Sequence, residues 1–299
     1  MKKMRIPLWI ALGVAALGIV LGSFLDLRLS TAIASRTNLF GITISVIGPT
    51  LGFMGLAIIG GGFLGLGLKK DCKVLPRVIL IALAVLSYAV SVFYAGEEYF
   101  NSHGFAGKAP EFVGFLIAAV PLGGGVFLGY KLFHATDNPN AWIILLIMAI
   151  VIFLALVPGA AVLKSIFHRP RFRSVIEYEH VVFHPWWSPC RNYKDLMAEY
   201  SLDIEEFKSF PSGHTTEASI LIVLSTFMPL VNRKLEKIQL GCFIGACCFA
   251  ALIGFARILA AAHFLSDVSA GAALALLFTI IANEVVIHAK KLRPSEAEA

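Results

Sequence analysis

The sequence predicts an all-α fold, a polytopic integral membrane bundle of about eight transmembrane helices, and three observations carry that prediction. Of 299 residues, 58% are hydrophobic and 15% charged, with a mean hydropathy of +0.81. Soluble domains carry about a quarter charged residues. Eight apolar stretches approach the roughly 20 residues needed to cross about 30 Å of hydrocarbon. They run over 6–25, 41–68, 78–96, 112–133, 142–164, 214–231, 240–260 and 264–287. The basic residues sit in short clusters between these stretches, the pattern of a chain anchored to anionic lipid. The net charge of +6 therefore points to the bilayer as partner and away from nucleic acid.

Each element has its own justification. The first stretch follows Lys2, Lys3 and Arg5 as a signal peptide would, but no small-residue cleavage site precedes Asp26, so it reads as a retained span. The second carries Pro49 and Gly60-Gly61-Gly62, which membrane helices tolerate. Spans three to five follow after short loops. Residues 168–213 then form a loop too polar to cross and too aromatic for a linker, and such a long connection is usually functional. Within it, Trp186-Trp187 reads as a pair resting at the bilayer interface. The last three spans follow. No internal repeat appears. The five cysteines lack zinc-ligand spacing and read as small hydrophobes plus a loop thiol.

Loop charge sets the orientation. An N-terminus inside collects on one side Lys2, Lys3 and Arg5, then Lys69, Lys70, Lys73 and Arg77, then Lys131, then Arg233, Lys234 and Lys237, and finally Lys290, Lys291 and Arg293. The short loops on the other side hold only Arg28, Arg36 and Lys108, while 97–111 brings Glu97, Glu98 and Glu111. The positive-inside rule then places both termini in the cytoplasm.

That topology gathers three polar clusters at the outer face. The first is "KSIFHRPRFR", with Lys164 at the end of span five. The second is Pro211-Ser212-Gly213-His214 at the start of span six. The third is "ARILAAAHFLSD", with Arg257, His263 and Asp267. Ionisable groups at membrane depth are costly and tend to face a cavity or one another. Lys164 and Arg171 are seven residues apart, so a continuing helix would present both on one face, whereas Arg169 would diverge by about 140°. His263 and Asp267, four apart on a helix, read as an imidazole oriented by a carboxylate. In the Ser212-Gly213 turn, glycine permits close backbone approach and the following helix start offers N–H donors to an anion. Three cations suit the equatorial oxygens of a transferring phosphoryl group, and two histidines can serve as nucleophile and acid. No acidic cluster is placed to hold magnesium, so no metal and no cofactor is expected.

At these residues the sequence resembles the type 2 phosphatidic acid phosphatase superfamily, whose soluble relatives include the vanadium haloperoxidases. The family signature K-x6-R-P, P-S-G-H, S-R-x5-H-x3-D appears as Lys164 through Arg171, Pro211 through His214, and Ala256-Arg257 through His263 and Asp267. Phe172 stands where the family has Pro, and Ala256 where it has Ser. The resemblance covers roughly residues 140–287. It implies a six-helix lipid-phosphatase core, with 1–110 holding N-terminal helices partly additional to it and 111–299 holding the core with the loop 168–213. It implies that His263 is the nucleophile, held by Asp267, and that His214 is the general acid. Lys164, Arg171, Ser212, Gly213 and Arg257 would bind the phosphoryl group. The expected activity is metal-independent hydrolysis of a lipid phosphate through a phosphohistidine, at the extracytoplasmic face of a bacterial cytoplasmic membrane. Phosphatidate, phosphatidylglycerol phosphate and polyprenyl diphosphates such as undecaprenyl diphosphate are the candidate substrates. The alternatives are phosphotransfer to an alcohol and a non-catalytic lipid-binding or transport role.

Overall fold

The computed structural model describes residues 1–101 and 112–289. Lys108 and Glu111, and the C-terminal cluster Lys290, Lys291 and Arg293, lie outside the described residues, as does the side chain of Glu98. Among the described residues there is no strand, and eight helices are long and apolar enough to cross a membrane, one for each stretch anticipated. They are built from α1 (Arg5–Ile33), α2 (Leu39–Gly67), α3 (Val74–Asn101), α4 (Phe112–His134) and α5 (Ala141–Leu154). The fifth span continues through a π-helical stretch, Ala155–Ala161, into α6 (Val162–Phe167). The loop that follows carries α7 (Phe172–Glu177) and α8 (Tyr193–Tyr200). Then come α9 (Gly213–Ala218) running directly into α10 (Ile220–Val231), α11 (Gln239–Leu259) and α12 (Leu265–His288).

The first helix extends eight residues past the apolar stretch, taking in Asp26, Arg28 and Ser30. Apolar content alone ends the span before Asp26. The helix goes on because Asp26 is buried against a counter-charge (below) and so stays inside the bundle.

Two packing modes hold the spans together. α2, α3 and α4 pack mutually, and Gly61 of α2 faces α4 while Gly129 of α4 faces back. A Cβ at Gly61 would collide with the Val126 carbonyl, and one at Gly129 with the Ile58 carbonyl. Gly61 and Gly65, like Gly125 and Gly129, are four apart, so each helix offers a smooth strip that brings the backbones into contact. α1 instead runs antiparallel to α12 and is fastened to it by charge at both ends. Arg5 pairs with Glu284 at one end, and Asp26 takes the Ser266 backbone N–H (2.9 Å) at the other. At the Arg5 end Lys3 also pairs with Glu236, beside Arg233, Lys234 and Lys237. Towards the Arg5 end, α5, α10 and α12 share an apolar core that includes Ile144, Met148, Phe227 and Val286.

Candidate active site

The three polar clusters meet at the Asp26 end of the bundle. Lys164 occupies the last turn of α6, which stops at Phe167 because His168 adopts a left-handed conformation (φ 42°) and Pro170 follows. The continuing helix expected between Lys164 and Arg171 is therefore absent. The chain turns back, Arg171 caps α7 in extended conformation, and its N–H donates to the Glu206 carbonyl (2.8 Å). Arg171 still comes within electrostatic reach of Lys164, along with Arg257. The two cations are neighbours, by a turn rather than by helical periodicity.

The Pro211–His214 turn is clamped against α12. Ser212 N–H donates to the Asp267 carbonyl (2.9 Å), and its hydroxyl caps α9 by accepting from Thr215 N–H (3.4 Å). A Cβ on Gly213 would stand 3.1 Å from Lys164 Nζ, so the glycine lets the ammonium rest on the turn. His214 is buried, and Glu217, one turn on, faces Lys164 from the same helix.

The third cluster differs from the expectation in one respect. His263 lies ahead of α12, and Asp267 is in that helix's first turn. Asp267 Oδ2 accepts from Phe264 N–H (2.8 Å) and Ser209 Oγ (2.6 Å), leaving His263 Nδ1 at 3.6 Å. The nearest partner of Nδ1 is the Ser209 carbonyl, at 2.7 Å. A carbonyl only accepts, so Nδ1 carries the proton and Nε2 keeps its lone pair. Burial drives His263 well below the usual imidazole range. The neighbouring Asp267 carboxylate opposes that shift, and the Arg257 and Arg171 charges reinforce it. His263, 1% exposed, is thus a neutral base among cations at pH 7.

Asp26, Ser209 and Ser266 escaped sequence reasoning as site residues, and Arg169 was set aside there in favour of Arg171. Arg169, wholly buried, binds Asp267 Oδ1 (2.5 Å), Asp26 Oδ2 (2.8 Å) and Ser266 Oγ (2.8 Å), with its guanidinium 4.2 Å over the Phe264 ring. Ser209 touches both His263 and Asp267. Ser266 Oγ also donates to Asp26. The available signal was Asp26 itself, since a carboxylate at membrane depth requires a partner.

The loop closes over this end as a small folded unit around Val181, Cys190, Leu196 and Phe207. Glu206 accepts from Arg173 and Ser174. Burial alone would raise its carboxyl, but those partners hold it down at about 2. Trp186 stacks on Phe210 and donates Nε1–H to Ser23 Oγ on α1 (2.9 Å), while Trp187 is 53% exposed. His168 stacks on Tyr193 and His180 pairs with Glu199. No group of three His, Cys, Asp or Glu side chains among the described residues is placed to hold a metal ion.

A family model described as the PAP2 superfamily matches residues 140–290. No curated protein matches the chain. Among solved structures, one similar chain is described as the first transmembrane PAP2 type phosphatidylglycerolphosphate phosphatase, from Bacillus subtilis. It is 18% identical, with 83% of this chain and 98% of that one covered and a TM-score of 0.38, a likeness that says nothing about the substrate here.

Proposed function

The chain belongs to the PAP2 superfamily, and we propose that it is a membrane phosphatase that hydrolyses a lipid phosphate or diphosphate through a phosphohistidine on His263. The observation that carries this reading is the His263 imidazole, anchored through Nδ1 on the Ser209 carbonyl and neutral by burial, beside Arg257 and Arg171. Its Nε2 attacks phosphorus while the bond from phosphorus to the leaving oxygen breaks, and His214 gives that oxygen a proton. Lys164, Arg171 and Arg257, with the Ser212-Gly213 turn, hold the phosphoryl oxygens as charge shifts among them. Water then attacks the phosphorus of the phosphohistidine, His214 takes its proton, and inorganic phosphate and free His263 are released. The reaction in this form uses protein groups only and needs no metal.

A lipid substrate is supported by an apolar cavity of about 620 Å³ between α1, α11 and α12. It reaches the site at Thr215 and Gly254 and extends towards Pro7 and Leu240 at the other end of the bundle. An acyl or isoprenoid chain fits such a surface. The extracytoplasmic placement is supported by the cluster of Lys3, Arg5, Arg233, Lys234 and Lys237 at the end opposite the site.

The test is phosphate release by the purified protein from a panel of phosphatidate, phosphatidylglycerol phosphate and polyprenyl diphosphates, with and without chelator. Radiolabelled phosphate trapped on wild type, absent from His263→Ala, is the expected result. An unlabelled wild type that still turns over, or activity lost on chelation, would sink the mechanism.

A further inference from the structure

The family match begins at residue 140, yet a residue of α1 is built into the candidate site. Asp26 is 2% exposed in a helix that otherwise buries only Leu8, Ala15, Gly22 and Ser30. Its carboxylate binds the guanidinium of Arg169, the Ser266 N–H and the Ser266 hydroxyl, which together occupy both of its oxygens. Arg169 in turn controls both acceptors that face His263 Nδ1. Its side chain holds Asp267 through Oδ1, and its backbone carbonyl takes the N–H of Ser209 (3.0 Å). The order of contact is Asp26, Arg169, then Asp267 and Ser209, then His263.

We propose that Asp26 and Arg169 are a positioning pair that aims the His263 imidazole, which makes α1 an integral part of the site rather than an added anchor. The proposal rests on the reading of His263 as nucleophile. Neither residue of the pair touches substrate. Their side chains act through Asp267, while the Arg169 backbone holds Ser209, so loss of the side chains should reduce the rate of the chemical step and leave the phosphate-binding cations alone.

A bare structural role would predict something else. Removing a partner from a buried ion pair leaves an uncompensated charge and destabilises the fold without changing turnover per folded molecule. The variants are therefore chosen to keep the fold. Asp26→Asn preserves shape and an acceptor for Ser266, and leaves Arg169 paired one-to-one with Asp267. Arg169→Lys keeps the charge but cannot bridge two carboxylates and a hydroxyl from one plane.

The experiment measures kcat and KM of detergent-purified, full-length protein, scaled to the folded fraction, and records 15N-histidine NMR spectra assigned with His263→Ala. For Asp26→Asn we expect kcat to fall roughly 10- to 100-fold with KM within about twofold, as when outer partners of an active-site His are removed. Arg169→Lys should recover part of what Arg169→Gln loses. In the spectra, wild-type His263 should report protonated Nδ1 and bare Nε2, and each variant should move that signal. If Asp26→Asn and Arg169→Lys keep wild-type kcat and an unmoved His263 signal, the pair is structural and the proposal is overturned. If wild type releases no phosphate from any lipid tested, the proposed function fails, while the His263 signal still decides whether the pair orients the ring.

Discussion

Where α2 meets α4, the helices touch backbone to backbone across Gly61 and Gly129, and no charged side chain is buried among the described residues of α2, α3 and α4. Where α1 and α12 meet the 168–213 loop, Arg169, Asp26 and Asp267 are all buried, and the guanidinium lies within hydrogen-bond reach of both carboxylates. The first contact depends on shape, the second on direction. Glycine strips let helices approach closely but say little about the angle of any side chain. A guanidinium shared by two carboxylates has few acceptable geometries, since each missed bond leaves a charge unpaired in a dry interior. The proposed aiming of the His263 imidazole rests on the second kind of contact.

Breaking the directed half should produce the largest change. His263→Ala should lower kcat by roughly 10⁴-fold or more, as for removal of a nucleophile elsewhere, while the thermal midpoint moves little. Phosphate release and thermal unfolding in the same detergent check both. The shape-dependent half should respond the opposite way. Gly129→Leu would force the α2 and α4 backbones apart at Ile58 and should cost about 1–3 kcal/mol or more of stability, with turnover per folded molecule retained. Denaturant unfolding beside a folded-fraction assay reads that split, and a loss of kcat without loss of stability would refute the division.

Two pH experiments sharpen the comparison. His263 is held well below the imidazole range, so protonation that removes its lone pair sets in only below about pH 6.5. The acid limb of log kcat/KM should accordingly lie below that value, and a limb above it would contradict the burial of the ring. The smallest effect concerns the loop. Glu206 is depressed to about 2, so its contribution to stability is present above the ordinary carboxyl value and is lost as pH falls from there towards 2. Hydrogen exchange of 193–207 should be flat from neutrality to about pH 5 and rise only in stronger acid, once corrected for intrinsic rates.

The spans were legible because about 20 apolar residues in a row is a local signal, and all eight appear as helices. The clusters at 164–171, 211–214 and 257–267 were legible because each holds its chemistry within a short spacing. What could not be read depended on separation or on single backbone angles. Asp26 and Arg169 stand 143 residues apart, and each looked ordinary alone, one as the edge of a span and one as a discarded helical partner of Lys164. The break at His168 needed a left-handed residue that no spacing rule foresees. The distance from His263 to Asp267 hinged on where α12 starts, and starting it at Leu265 handed the imidazole to the Ser209 carbonyl instead.

The clasp between α1 and α12 also bears on how the protein is made. Asp26 emerges in the first helix, its guanidinium partner arrives 143 residues later, and Ser266 and Asp267 come only with the last helix. Until synthesis reaches that helix, the carboxylate at the end of α1 has no complete set of partners and is poorly tolerated in hydrocarbon. The Asp26 carboxylate thus gains its full set of partners only when α12 is in place beside α1.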